Sequence, residues 1–196
     1  ILLLTHEQGF IELVASDVKS KGWLMKDFKW SKEKGIRIEE GTTDIKERIL
    51  KKFEDKNTDG LGNDIRVYTG KVMKEIAYSI DAQVAFRYNE INEKRMAPEL
   101  LDAVHGRISK KGNGLKDKAN ILKLKGMPMF VANVTSHDNE FTESIDDLAV
   151  IWEDIENTIN IFYCDECKKL ISIKNFDNVE NKIRCGCGKL TYDWKK

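Results

Sequence analysis

The sequence predicts an α+β protein, because strand-like and helix-like patterns fall in different parts of the chain. Residues 1–41 contain a short aliphatic run and two segments suited to strands. Residues 42–161 carry apolar side chains at helical spacing, and residues 162–196 return to short alternating segments between two pairs of cysteines. Spacings of three and four residues indicate helices, whereas alternation indicates strands. We therefore predict three domains with these bounds: a β-rich segment, an all-helical bundle and a small ribbon.

Composition and charge exclude few classes of protein. The 196 residues are 34% charged and 41% hydrophobic, which is ordinary for a protein with a modest core. Basic and acidic residues each number 33, so the net charge does not indicate a partner. No apolar run reaches the roughly 18 residues of a membrane span. The chain begins with four aliphatic residues and no methionine, so we expect it to be cut from a larger protein.

The first domain opens with a pattern typical of a buried strand. Residues 1–4 are all aliphatic, as in the strands of a parallel sheet. Residues 10–18 then place apolar side chains on one helix face, and Gly22 ends that helix. Residues 23–30 and 35–39 predict two strands joined by a polar turn.

Five helices are predicted in the second domain. Asp44 and Glu47 form a capping-box pattern at the start of the first helix, and Pro98 suits the first turn of the third. Either Asn139 or Thr142 is expected to cap the last. The first helix carries Ile45, Ile49 and Phe53, and the other four span about residues 63–80, 98–108, 115–125 and 141–160. The apolar stripe of the second helix is Ile65, Tyr68, Val72, Ile76 and Ile80, and that of the third is Leu101, Val104 and Ile108. The stripe of the last helix is Ile145, Leu148, Trp152, Ile155 and Ile159.

The four cysteines form two short pairs in the third domain. They are Cys164, Cys167, Cys185 and Cys187. Thiolates two or three residues apart can point at one ion from a tight turn, and Gly186 and Gly188 permit the left-handed backbone angles that such a turn needs. Four clustered cysteines without a secretion signal favour one tetrahedral zinc site over two disulfides. Because four thiolates leave no open coordination position, we expect the zinc to be structural.

The scaffold predicted for this zinc site is a two-stranded ribbon. Residues 170–174 and 189–194 both alternate apolar and polar side chains, as strands do. The last helix leads into the ribbon without a linker, so we expect the ribbon to pack on the helical bundle.

Charge is segregated along the helical domain. Residues 105–125 hold seven Lys/Arg and one Asp, a net of +6, whereas residues 137–157 hold eight Asp/Glu and no Lys/Arg, a net of −8. Two interpretations stay open. The segments are neighbouring helices with complementary faces, or the basic segment collects the phosphates of a nucleic acid.

The aliphatic run that ends in Thr5-His6-Glu7 resembles the switch-histidine loop of ABC-type and SMC-like ATPases. The resemblance implies that His6 approaches the γ-phosphate of ATP. The chain contains no Gly-x-x-x-x-Gly-Lys-Ser/Thr loop to hold phosphates. ATP and Mg²⁺ are therefore expected only together with an ATPase core that lies upstream, and this chain alone is expected not to hydrolyse ATP.

Parts of the helical domain resemble the domain that follows the switch histidine in SMC-like defence ATPases, which is similar to HEPN domains. The matching segments are residues 62–66, 86–87 and 133–139. HEPN domains often act as metal-independent ribonucleases, with an arginine a few positions before a histidine. Ala132 stands where that arginine is expected before His137. This departure argues against the standard nuclease.

A second nuclease pattern resembles the PrrC and RloC type of anticodon nuclease, which pairs an ABC-type ATPase with a HEPN-like nuclease. The implied catalytic residues are Arg95, Glu99 and His137. Glu99 or His137 would transfer protons, and Arg95 would stabilise the charge of the phosphorane. An Arg–Glu pair four residues apart is also an ordinary surface bridge. We expect no cleavage of tRNA by this chain.

These resemblances imply the C-terminal region of a cytoplasmic SMC-like ABC ATPase in bacterial defence against phage or plasmids. Its helices and zinc ribbon would form a platform for a partner or for DNA or RNA. The expected partners are the upstream ATPase core, a second copy in a homodimer and a defence effector subunit, with no membrane. The alternatives are a tRNA-cleaving ribonuclease controlled by the ATPase and a non-catalytic dimerisation module.

Overall fold

A computed structural model describes residues 4–5, 14, 26–31, 35–40, 44–86, 88, 97–119 and 144–195. The chain divides into two compact units, Ile1–Asp55 and Lys56–Lys196. Helices and small antiparallel sheets occupy separate stretches, so the predicted mixture of helix and sheet, an α+β chain in general terms, is confirmed. The bounds predicted for three domains stay a prediction.

Among its described residues, the first unit contains an antiparallel strand pair, a helical residue at Val14 and the helix that ends the unit. Strands β1 (Lys26–Ser31) and β2 (Gly35–Glu40) pair with Phe28 opposite Ile38 and Trp30 opposite Ile36. This confirms the predicted pair over residues 26–30 and 35–39, and residues 23–25 lie outside the described residues. The predicted strand at 1–4 and helix at 10–18 fall largely outside the described residues.

Helix α1 (Ile45–Glu54) follows in the same unit. Its N-cap is Asp44, whose carboxylate accepts hydrogen bonds from the backbone N–H groups of Lys46 and Glu47. The predicted cap is therefore confirmed. Ile45 and Ile49 are buried.

Three helices form the core of the second unit. Helix α2 (Leu61–Ser79) contacts both α3 (Ala97–Ile108) and α4 (Ile145–Asn160). Tyr68 of α2 packs on Trp152 of α4, with ring centroids 5.2 Å apart. Ile145 of the predicted stripes is half-buried. The other predicted side chains are buried, which confirms the stripes: Ile65, Tyr68, Val72, Ile76, Ile80, Leu101, Val104, Ile108, Leu148, Trp152, Ile155 and Ile159.

One predicted helix start in this unit was wrong, and a second predicted helix is described only in its first residues. Helix α4 begins at Ile145 and not near 141, because Ser144 has an extended backbone (ψ 152°) and its Oγ accepts the N–H of Asp147 at 3.1 Å. Ser144 therefore caps the helix, in place of Asn139 or Thr142. The predicted helix at 115–125 starts with a 3₁₀ turn, Lys116–Lys118, and its residues 120–125 lie outside the described residues.

The C-terminal strands form two small antiparallel sheets. Strands β3 (Tyr163–Cys164) and β4 (Lys169–Leu170) pair with each other. The second sheet has the order β5-β6-β7, which are Ser172–Asp177, Lys182–Arg184 and Thr191–Asp193.

The prediction of a two-stranded ribbon was wrong, because β6 lies between the two strands that were expected to pair. A turn stabilised by Asp177 brings β6 into this position. The carboxylate Oδ1 of Asp177 accepts the N–H groups of Val179 and Glu180 at 2.9 and 3.1 Å. Asn181 then takes a positive φ of 53° as the chain returns.

The last strand is fixed to the helices through side chains at the end of α3. The guanidinium of Arg107, which is only 6% exposed, lies 4.5 Å from the ring centroid of Trp194 and donates to the carbonyl of Lys195 at 2.9 Å. Asn113 donates to the carbonyl of Arg107 at 2.8 Å and accepts the N–H of Lys195 at 2.7 Å. We call these contacts the Arg107–Asn113–Trp194 joint. The predicted packing of ribbon on helices is confirmed.

Close backbone approach reinforces this joint. Gly114 N–H donates to the carbonyl of Asp193 at 2.8 Å, and a Cβ at Gly114 would lie 3.1 Å from the backbone nitrogen of Asp193. On the other side, the hydroxyl of Tyr192 donates to the carbonyl of Ile161 at the end of α4. The sheet is therefore held by two different helices. None of the helices in the described ranges has the length and hydrophobicity that a membrane crossing requires.

Candidate metal centre

Two short turns bring the four cysteines together. The first joins β3 to β4, and in it Lys168 takes a positive φ of 53° and donates its N–H to the carbonyl of Cys164 at 2.8 Å. The second follows β6, where the N–H of Gly188 donates to the carbonyl of Cys185 at 3.1 Å. Each turn therefore presents two thiols from a hydrogen-bonded backbone.

The glycines of the second turn have different roles. Gly188 takes φ +78°, the left-handed backbone angle that glycine adopts without strain. Gly186 has no such angle, so that part of the prediction was wrong. A Cβ at Gly186 would make ordinary contact, 3.7 Å from Cδ of Lys169. The turn therefore depends on Gly188 for its conformation.

The spacing of the sulfurs fits a single metal ion. The four Sγ atoms lie within 4.8 Å of one another, and those of Cys164 and Cys185 lie 3.7 and 3.4 Å from that of Cys187. A tetrahedron with metal–sulfur bonds of about 2.3 Å has sulfurs about 3.8 Å apart. A disulfide requires about 2.05 Å, and all four cysteines are free. The cluster could therefore hold a metal ion such as zinc, as the cysteine spacing predicted.

Burial differs among the four thiols. Cys164 and Cys185 are buried, Cys167 is half-buried and Cys187 is exposed. Each turn thus holds one buried thiol and one that is accessible to solvent. An ion can reach the cluster from solvent.

The surroundings of the thiols lower the pKa of Cys185 and of Cys167, and they raise the pKa of Cys187. Burial opposes ionisation of Cys185, but hydrogen bonds from the N–H of Leu190 and from the neighbouring thiols lower the pKa of Cys185 to about 6. At Cys187 the N–H of Lys189 favours the thiolate, yet the contact with Cys185 and burial together raise its pKa to about 11. Four thiolates therefore need a cation among them to ionise together.

The other predicted site residues are not brought together in the described part of the chain. His6, Arg95 and His137 lie outside the described residues, so their roles stay predictions. Glu99 is half-buried in the first turn of α3. His105, expected at the edge of the core, is half-buried, and its Nε2 lies 3.4 Å from the hydroxyl of Ser109.

Sequence reasoning missed the residues that position the cluster. Residues 112–114 were interpreted only as a chain break, yet Asn113 is 5% exposed and bonds to both α3 and the end of β7. The signal available was an asparagine between two glycines just after a helix, a pattern typical of a specific turn. Its distant partner, Lys195, could not be identified from spacing.

No protein-family model matches this chain, and no curated protein or solved structure matches it either. What the cysteine cluster can bind is therefore inferred from the positions of its sulfur atoms alone.

Proposed function

We propose that residues 162–196 form a structural zinc ribbon and that zinc fixes this ribbon on the helices as a rigid binding platform. The observation that carries the proposal is the closed set of four cysteine sulfurs at tetrahedral spacing. Four thiolates complete the coordination of zinc, so no position is left for water or substrate. A site of this kind stabilises a fold and does not catalyse a reaction.

The dimensions of the C-terminal sheets support a structural role for the metal. Their strands are two to six residues long, too short to enclose a core of their own. Small folds of this kind usually depend on disulfides or metals. Zinc would tie β3–β4 to the turn after β6, while the Arg107–Asn113–Trp194 joint ties β7 to α3.

Elemental analysis of the reduced protein tests this proposal. We expect about one zinc per chain, as a single four-cysteine site requires. A metal content near zero in reduced, folded protein would remove the proposal. Iron at the same stoichiometry would contradict the choice of metal, because thiolates also bind iron.

We further propose that the platform belongs to an SMC-like ABC-type ATPase of the bacterial defence type and that residues 42–161 are a HEPN-like helical domain. The support is the sequence resemblance at residues 1–6, 62–66 and 133–139. In this proposal His6 contacts the γ-phosphate of ATP that is bound by an ATPase core, and the helices and ribbon receive a partner or a nucleic acid. The ribonuclease alternative is not favoured, since Ala132 replaces the expected arginine.

A chain that includes the ATPase core tests the role of His6. In that chain His6→Ala should lower ATP turnover at least about tenfold, roughly 1.4 kcal/mol of transition-state stabilisation. ATP binding should change far less, because the switch histidine acts on the γ-phosphate. Unchanged turnover would leave His6 without this role.

A further inference from the structure

A groove in the second unit combines cationic and aromatic side chains. It has a volume of about 370 Å³ and lies where the end of α2 faces β5. Lys74 and Tyr78 of α2, Leu100 of α3 and Lys174 of β5 line it. We call it the Tyr78 groove.

The aromatic ring at this groove is unusually exposed. Tyr78 is 72% exposed, and the ammonium of Lys174 lies 5.2 Å from its ring centroid. The ammonium fixes the orientation of the ring through its π-face. Because most of the ring remains in contact with solvent, a flat ligand can stack on it.

Two more exposed aromatic rings follow in the chain. Phe86 is 80% exposed and Tyr88 is 90% exposed. Val84 lines the groove, and two residues of extended chain reach at most about 7 Å. The backbone at Phe86 therefore lies within about 7 Å of Val84, and its exposed ring is the aromatic side chain that follows the groove in the chain.

The charges beside the rings suit an anionic ligand. In the described part of the chain neither Lys74 nor Lys174 forms an ion pair with a carboxylate. The one acidic side chain that lines the groove is Asp81, which accepts a hydrogen bond from Gln83 and interacts electrostatically with Arg107. Lys74 is thus available for a phosphate group, and Lys174, whose ammonium lies over the Tyr78 ring, would hold a phosphate beside a base stacked on the other face of that ring.

We propose that the Tyr78 groove binds single-stranded nucleic acid, with bases stacked on Tyr78 and Phe86 and phosphates held by Lys74 and Lys174. A basic groove with solvent-exposed aromatic rings is how proteins bind single strands without reading their sequence. A proline-rich peptide would also use the rings, but it has no need of the lysines. This inference rests on the proposed platform function and names the ligand of that platform.

The test uses the full, zinc-loaded chain and a fluorescently labelled 12-nucleotide oligo(dT), with the matched duplex as a second probe. We expect the single strand to bind and the duplex to bind more weakly. Tyr78→Ala should weaken single-strand binding at least about tenfold, in line with the loss of one stacked base. Replacing Lys74 and Lys174 together by alanine should reduce the slope of log affinity against log salt by about 1.4, or 0.7 for each phosphate released.

Two matched controls locate the site. Phe28→Ala removes an aromatic ring of similar exposure, 64%, from the other unit, and it should leave binding unchanged. Replacing the exposed Lys110 and Lys111 by alanine tests the basic segment near the end of α3. A loss of binding in either control as large as in the groove variants would overturn the proposal.

Further outcomes would also overturn it. They are the absence of oligonucleotide binding by folded chain that contains zinc, duplex binding as tight as single-strand binding, and capture of an oligoproline or acidic peptide in place of the oligonucleotide. Zinc content and helix content are measured on the same samples. A chain without zinc therefore contradicts the platform itself, whereas a zinc-loaded chain that does not bind contradicts only the assignment of its ligand.

Discussion

The β1–β2 pair and the C-terminal sheets are both built from short antiparallel strands, but they differ in how far their apolar side chains are exposed. In the β1–β2 pair, Phe28, Trp30, Ile36 and Ile38 are 61–72% exposed. In the C-terminal region Ile183 of β6 is at most 2% exposed, as are Ile171 and Trp194, which flank the strands. Both regions have alternating sequences, so alternation alone does not determine burial.

The difference between the two regions lies in what surrounds the strands. The C-terminal sheets lie beside a cysteine cluster and are bonded to α3 and α4. For the β1–β2 pair, no metal-ligating cluster occurs among the residues that the structure describes. An isolated two-stranded pair is marginally stable in water, so the helix contacts, together with the metal proposed for the cysteine cluster, would stabilise the C-terminal sheets.

The largest expected effect comes from removing a metal ligand. Cys185→Ser should reduce zinc content from about one per chain to near zero and unfold the C-terminal sheets, because a closed four-cysteine site loses a buried ligand. Elemental analysis and circular dichroism check this. Glu166→Gln is the control: it removes only the exposed ion pair with Lys189, 2.8 Å apart, and should retain zinc. Full zinc retention in Cys185→Ser would contradict the model of four ligands.

Two isoleucines test the contrast in burial directly. Ile183→Ala should lower the free energy of unfolding by about 2–5 kcal/mol, because the side chain is fully buried in β6. Ile36→Ala, which is 72% exposed in β2, should change it by less than about 0.5 kcal/mol. Denaturant unfolding at constant zinc measures both. Equal losses would show that the two regions do not differ in burial.

The Arg107–Asn113–Trp194 joint should give an intermediate effect. Asn113→Ala leaves the buried carbonyl of Arg107 and the N–H of Lys195 without their bonds, at a cost of about 1–3 kcal/mol in unfolding free energy. Zinc content should not change, since the cysteines are untouched. Ser109→Ala, four residues earlier, is the matched control. If Asn113→Ala unfolds with the same free energy as Ser109→Ala, the hydrogen bonds of Asn113 do not stabilise the protein and the proposed role of the joint is wrong.

The smallest expected effect is a pH dependence at the β5–β6 turn. Hydrogen bonds from the N–H groups of Glu180 and Val179, with Arg184 nearby, lower the pKa of Asp177. A carboxyl with a lowered pKa adds stability above its unfolded pKa of about 3.9, and this stability is lost as pH falls through the folded pKa. Asp177→Asn should therefore be less stable than the native chain at pH 7, with the difference shrinking below about pH 4. A difference that does not depend on pH would exclude the charge of Asp177 as its cause.

Local patterns allowed much of the fold to be predicted. The stripes of α2, α3 and α4 follow from side chains within one helix, and the cysteine cluster follows from two short spacings. The β6 strand is only three residues long, too short to show alternation. The joint depends on Arg107 and Asn113 meeting Lys195, 88 and 82 residues away. No local pattern encodes such a pairing.

Hydrogen–deuterium exchange of the zinc-loaded and the metal-stripped chain tests the central claim most directly. If zinc holds the C-terminal sheets, stripping the metal should remove amide protection in β3–β7, while α2 and α3 keep most of theirs. Restoring zinc to the reduced chain should restore the lost protection. Protection of β3–β7 that is the same with and without metal would contradict the claim that zinc builds the platform.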